Sequence, residues 1–190
     1  RAEDGVPGVR PRTAQADADV CAGAAEIGYP VVLKTVGVEH KSDVGGVVLG
    51  ITDEGQLADA YLQMSESLGP SVAVSAMAPP GIEVSVGFVR DDAFGPLVVV
   101  AAGGTLVELL ADRVIACPPL SRRHARELVD SLRIRPLLDG WRGAPPVDVE
   151  ALIDVIVAIA MMAVELGEMF DAVEANPVIV SPLGAVAVDV

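Results

Sequence analysis

Aromatic residues make up only 3% of this 190-residue chain: three Phe, two Tyr and one Trp. Its core must therefore be built from Val, Leu, Ile and Ala. Cationic side chains are also scarce, with 13 Lys plus Arg against 27 Asp plus Glu, a formal net charge of −14. Such a surface repels nucleic acid and anionic membrane, so an anionic ligand needs a local cationic pocket or a bridging metal ion. Two cysteines, Cys21 and Cys117, are too few for a disulfide framework and lack metal-ligand spacing. The two histidines, His40 and His124, lie far apart without a His-x-x-His pattern, which excludes an ordinary zinc site. No run reaches the ~18 apolar residues of a membrane helix. The best candidate, Ala151 to Leu166, contains Asp154 and Glu165 and reads as a buried soluble helix. The opening residues Arg1, Glu3, Asp4 and Gly5 are polar and no signal-peptide core follows, so a reduced cytoplasmic setting is expected. The chain opens without Met and is expected to be a piece of something longer. What is present is apolar bulk: 52% hydrophobic residues with 21% charged, 14 prolines and 19 glycines, the balance of one folded unit or two small lobes.

Local patterns predict the elements. Thr13 can cap a helix over Ala14 to Ile27, closed by Gly28 and Pro30. Pro30 to Thr35 is a short β-branched run and reads as a buried strand carrying Lys34 near its end. A polar loop from Val36 to Gly46 leads to a second strand, Val47 to Ile51. A helix capped by Thr52 or Asp53 then runs to about Leu68. The second half predicts strands at Ser71 to Met77, Glu83 to Arg90, Leu97 to Ala101, Leu106 to Leu110 and Val114 to Cys117. On Glu83 to Arg90 the alternation turns Glu83 and Ser85 outward and Val84 and Val86 inward. Ser121 caps a helix, a long helix covers Val149 to Leu166, and strands Ala172 to Val180 and Ala185 to Val190 close the chain. Strands outnumber helices and several follow one another directly, which predicts an α+β fold in two lobes.

Three groups of residues can carry chemistry. Lys34, inside an apolar run, must either snorkel to solvent or meet an anion, because an unpaired buried ammonium is costly. The loop His40-Lys41-Ser42-Asp43-Val44-Gly45-Gly46 offers an imidazole that can act as a nucleophile, and adjacent glycines whose N–H groups can approach phosphate. An ordinary exposed loop histidine has the same local sequence. Near the end, Glu174 and Asn176 are two apart on one strand and share a face, and the hairpin turn can bring Asp189 beside them. Such hard oxygen ligands suit Mg²⁺ held jointly with nucleotide phosphates, although a solvated hairpin face would carry similar residues.

The order of motifs is more specific than any one of them. Gly28-Tyr29-Pro30-Val31-Val32-Leu33-Lys34, His40 to Val47, Phe94-Gly95-Pro96, Gly103-Gly104, Pro119-Leu120 and Asn176-Pro177 together closely resemble the ATP-grasp domain of ADP-forming (NDP-forming) acyl-CoA synthetases, the acetyl-CoA synthetase β-subunit type related to succinyl-CoA synthetase. The resemblance covers Ala14 to Asp189 and implies an ATP-grasp fold, two α+β lobes with nucleotide between them. It implies one such domain over residues 1–190, with about 1–70 in the first lobe and 71–190 in the remainder. It implies ATP/ADP and Mg²⁺ as cofactors, with Lys34 on the phosphates, Gly45 and Gly46 in the loop over them, Ser75 to Met77 lining the adenine, and Glu83 at the nucleotide pocket. Asn176 and Asp189 match the Mg²⁺ ligands, with Glu174 close by, and His40 matches the histidine that carries a phosphoryl group. The implied partners are CoA-binding and CoA-ligase domains and a small acid or its acyl-CoA, with no nucleic acid and no membrane.

The chain departs from the family pattern at several points. Ser75-Ala76-Met77 replaces the usual Gln-Pro-Met, and Ala101-Ala102-Gly103-Gly104 the usual Gly-x-Gly-Gly. Ala116 stands where an arginine is common, Glu174 stands for the frequent Asp, and the loop before His40 is about two residues short. Two readings follow. In the first the chain is the phosphoryl-transferring domain of an acid–CoA ligase. In the second, motivated by Ala102 and Ala116, it is a regulatory ATP-grasp module of the kind fused to protein lysine acetyltransferases, with little catalysis of its own.

Overall fold

A computed structural model describes residues 7–38, 41, 44–104 and 110–189. The chain divides into two compact units, one of Val9–Met77 and the other of Ala78–Val190 with Arg1–Gly8.

The smaller unit is a four-stranded antiparallel sheet in the order β1-β4-β2-β3, made of β1 (Arg12–Ala14), β2 (Val31–Thr35), β3 (Val47–Ile51) and β4 (Val72–Ala76). Helices α1 (Asp17–Ile27) and α2 (Glu54–Leu68) contribute to one core. Val20 and Ala24 of α1 and Leu57, Tyr61 and Met64 of α2 pack with Val31, Leu33, Ile51, Val72 and Val74 of the sheet. The cap expected for α2 forms: Asp53 Oδ1 accepts from Gln56 N at 2.9 Å, and Gln56 Oε1 accepts from Thr52 N in return. Two otherwise unpaired N–H groups are thereby satisfied reciprocally. The expected start of α1 is wrong. Thr13 and Ala14 belong to β1, paired with Val72 and Ala73 of β4, and the helix begins three residues later behind Ala16. An open edge of β4 supplies the hydrogen bonds that outweigh the helical propensity of this Ala-rich stretch.

The larger unit is a five-stranded antiparallel sheet in the order β7-β6-β5-β8-β9. Its strands are β5 (Ile82–Asp91), β6 (Gly95–Ala102), β7 (Arg113–Ala116), β8 (Ala172–Ser181) and β9 (Gly184–Ala187). Helices α3 (Arg122–Ser131), α4 (Arg135–Leu138) and α5 (Val149–Leu166) pack against one face of it. Helix α5 has the bounds expected from its apolar run, is capped by Asp148, and buries Leu152, Ile153, Val155, Ile156, Ile159, Ala160 and Ala163. Val84, Val86 and Phe88 of β5 and Val98 and Val100 of β6 meet them. Buried Asp112 accepts from the N–H groups of Arg133 and Ile134, both at 2.9 Å, and so ties the start of β7 to the turn after α3. The expected strand Leu106 to Leu110 lies, apart from its last residue, outside the described residues. Among the described residues no helix is long and apolar enough to cross a membrane.

Strand β8 is irregular where it matters. Val84 stands opposite Val178, but Val86 stands opposite Ala175, so β8 holds one extra residue at Asn176-Pro177. This is a β-bulge, which bends a strand and re-aims its side chains.

Candidate functional site

In the smaller unit, β2 turns Val31 and Leu33 into the core, so Lys34 lies on the opposite face with Val32. Lys34 stands opposite Val47 on β3 and Ala73 on β4, and Ser75 stands opposite Val32, so Lys34 and Ser75 are diagonal neighbours on one face. Ser75 is buried, whereas Met77 is partly exposed just beyond the end of β4, its N–H donating to Pro30 O at 3.2 Å.

The two loop glycines differ. Gly45 has φ +72° with open space around it, a backbone state that glycine adopts without strain. Gly46 is needed for packing: a Cβ there would lie 2.6 Å from Thr35 Cγ2 and 2.9 Å from Lys41 O. Its N–H donates to Lys41 O at 2.7 Å, and its own carbonyl accepts from Thr35 N at 2.8 Å. Position 46 thereby closes the loop onto the end of the strand that carries Lys34. His40, the expected phosphoryl carrier, lies outside the described residues.

In the larger unit the outer face of β5 carries Glu83 and Ser85, as the alternation predicts, but Ser85 is only 4% exposed. Its hydroxyl donates to Glu174 Oε1 at 2.7 Å. Glu174 stands opposite Gly87, where a Cβ would lie 2.5 Å from Val173 O and 3.0 Å from Glu174 Cα. Glycine at 87 thus lets β8 approach β5 directly beneath the carboxylate.

Asn176 Oδ1 accepts from Gly104 N at 3.2 Å, and Asn176 N donates to Asp189 O at 3.1 Å. The hairpin does bring Asp189 beside Asn176, although β9 itself stops at Ala187. The Gly103-Gly104 turn is held from both sides. Gly103 N donates to Glu83 O at 2.9 Å, and the Glu83 carboxylate occupies the space that a Cβ on Gly104 would need. Glu83 and Asn176 thus meet at the glycine turn, the backbone of Asp189 lies beside Asn176, and Glu174, two residues before Asn176 on β8, is tied to Ser85.

Among the described residues no three His, Cys, Asp or Glu side chains group to hold a metal alone. The donors present are two carboxylates and an amide oxygen. This hard, incomplete set fits Mg²⁺ that also takes phosphate oxygens, and it does not fit zinc.

Sequence reasoning missed Ser85 as a site residue, because its partner is 89 positions away and no spacing reveals that. Two of the departures lie off this face. Ala102 is buried in the core, and Ala116 packs against that core. Neither shares the face that carries Ser85. The cation of β7 that does is Arg113, which stands opposite Ala101 and, through it, Ser85. A cleft of roughly 310 Å³ lined by Leu110, Ile134, Leu137 and Trp141 lies elsewhere in the unit and contains none of these residues.

Comparison with known proteins identifies the family. A family model described as an ATP-grasp domain matches residues 2–190. The β subunit of an ADP-forming acetate–CoA ligase from Pyrococcus furiosus is 35% identical over 195 residues, covering 97% of this chain and 84% of that one. A single-chain ADP-forming acetate–CoA ligase from Archaeoglobus fulgidus is 36% identical over 176 residues, and there the match spans only a quarter of the relative. Among solved structures, acetyl-coenzyme A synthetase 1 of Ca. Korarchaeum cryptofilum, with coenzyme A and Ca-AMPCP, superposes with a TM-score of 0.91 at 36% identity over 98% of this chain and 85% of that one. Another state of that synthetase holds Mg-AMPPCP, with its phosphohistidine segment pointing towards the nucleotide-binding site. The α+β architecture expected from the element pattern is that of this fold, and the chain belongs to the ATP-grasp family, among the ATP-grasp domains of ADP-forming acid–CoA ligases.

Proposed function

We propose that the chain is the nucleotide-binding, phosphoryl-transferring part of an enzyme that converts acyl-CoA, ADP and phosphate to acid, CoA and ATP, reversibly. The observation that carries this reading is the placement of Asn176 beside Asp189, with Glu174 anchored by Ser85 on the same strand. Lys34 contacts the nucleotide phosphates, Gly45 and Gly46 present backbone N–H groups to them, Ser75 and Met77 line the base, and Glu83 is a polar wall of the pocket. Glu174, Asn176 and Asp189 hold Mg²⁺. When bound, the ion neutralises phosphate charge that a chain of net charge −14 would otherwise repel.

His40 carries the phosphoryl group. A neutral imidazole nitrogen attacks the phosphorus of an acyl phosphate formed on a CoA-ligase partner; the P–O bond to the acyl group breaks and carboxylate leaves. The terminal oxygen of ADP then attacks the same phosphorus, the P–N bond breaks, and neutral His40 is restored. Relatives occur both as separate β subunits and as single chains about four times longer than the match, so the CoA-binding partner stands either in the same polypeptide or in another subunit. A cytoplasmic location suits this chemistry. The regulatory reading has no structural observation in its favour, since Ala102 and Ala116 belong to the core rather than to the site face.

The test is incubation of the full-length protein with γ-labelled ATP and Mg²⁺. An acid-labile, alkali-stable label that disappears in His40→Ala is the expected result. Absence of label under conditions where ATP binds would overturn the relay.

A further inference from the structure

Every buried polar side chain in a strand needs a reason to be there, and Ser85 has one. It sits between Val84 and Val86, on the outer face of the central strand of its sheet, and is almost fully covered. Its hydroxyl has a hydrogen-bond partner in the Oε1 atom of Glu174, at 2.7 Å, the short distance of a bond to a charged acceptor. Glu174 is itself exposed and emerges from β8 two residues before the bulge begins. A glutamate in such a place has three rotatable side-chain bonds and a broad terminal torsion, so nothing in its own strand fixes its carboxylate. The hydroxyl does, and it occupies Oε1 while leaving Oε2 available.

On the metal-site reading above, we propose that Ser85 is a positioning residue that presents Oε2 of Glu174, and not Oε1, to the divalent cation. Gly104 does the corresponding work for Asn176, by donating its N–H to Oδ1 at 3.2 Å and leaving the second lone pair of that oxygen free. One donor comes from β5 and the other from the turn after β6, and they act on the two side chains that flank Ala175. The oxygens are thereby oriented before the ion arrives, which is what outer donors contribute at metal centres, and their loss commonly costs 10–100-fold in affinity. Neither Ser85 nor Gly104 touches the ion.

The experiment uses the full-length protein with saturating ADP and follows Mn²⁺ binding by electron paramagnetic resonance, a readout independent of turnover. Ser85→Ala should weaken Mn²⁺ binding about 10–100-fold while leaving metal-free ADP affinity unchanged. Ser85→Thr, which keeps the hydroxyl, should bind Mn²⁺ within a few-fold of the parent. If Ser85→Ala does not fold, Ser85→Cys, with a weak donor in the same place, carries the same expectation. Parent-like Mn²⁺ affinity in Ser85→Ala, in a background where Asp189→Asn does weaken it, overturns the role of Ser85 and leaves the metal site standing. Unchanged affinity in Asp189→Asn and Glu174→Gln as well removes the metal site itself, and this inference with it.

Discussion

The smaller unit holds its site residues by backbone, the larger one by side chains. In the first, strand register sets the face that Lys34 occupies, and the loop beside it is closed by main-chain bonds through Gly46. In the second, side-chain oxygens make the ties: Glu174 accepts from the Ser85 hydroxyl, Asn176 from Gly104 N, and Asp112 from Arg133 N and Ile134 N. Among the described residues, the buried side-chain oxygen without a partner is that of Thr35 in the smaller unit, whereas Ser85, Asp112 and Ser181 of the larger unit are all bonded. A cation of fixed charge needs only to be delivered to the right place. Oxygens that are to share an ion must also be oriented, and that takes donors.

The contrast can be broken at its strongest point first. Asp112→Ala leaves two N–H groups facing a 6%-exposed site without an acceptor. At about 1.5–3 kcal/mol per charged hydrogen bond, the loss should reach roughly 3 kcal/mol or more, read as a lower midpoint in urea. A loss near zero would mean that side-chain ties do not hold the larger unit together. Next comes the charge term. Lys34→Ala should weaken nucleotide binding tenfold or more by calorimetry, from about 1.5–3 kcal/mol for a charge-assisted contact. That loss should persist when Mg²⁺ is removed. Asp189→Asn should behave oppositely, weakening binding with Mg²⁺ and changing little without it. If both variants respond to Mg²⁺ alike, the two units do not divide the work in this way.

Smaller effects sharpen the comparison. Tyr61 donates to Gln15 O at 2.9 Å, a neutral tie from α2 to the link between β1 and α1. Tyr61→Phe should cost about 1 kcal/mol in the same urea assay, well below Asp112→Ala. Thr35→Val should be neutral or slightly stabilising, by at most about 1 kcal/mol, because the hydroxyl it removes is buried and unbonded. A clear destabilisation would show that this hydroxyl has a partner in the working protein.

Much of this was legible in the sequence where the relevant forces are local. The bounds of α5 follow from an apolar run with an acidic cap at one end and Gly167 at the other. The approach of Asp189 to Asn176 follows from a short turn that folds one strand back on the next. Strand β1 was not legible, because the residues that make it a strand are Val72 to Val74, about 60 positions away. The same holds for Ser85: alternation set its direction, but only the pairing of β5 with β8 delivers Glu174 to it. The face of Ala116 was not legible either, because a motif records spacing along the chain and not which side of a strand a residue occupies.

The extra residue at Asn176-Pro177 gives β8 two phases of inside and outside, one through Val173 and Ala175 and another through Val178 and Val180. Both phases keep valine and alanine against the core only because two residues, rather than one, stand between Ala175 and Val178. Deleting one residue there would do more than remove one side chain. With the hairpin to β9 holding the second phase in place, the first would invert, turning Val173 and Ala175 to solvent and driving the Glu174 carboxylate towards Phe88. At this spot the length of the chain is therefore less negotiable than the identity of its residues.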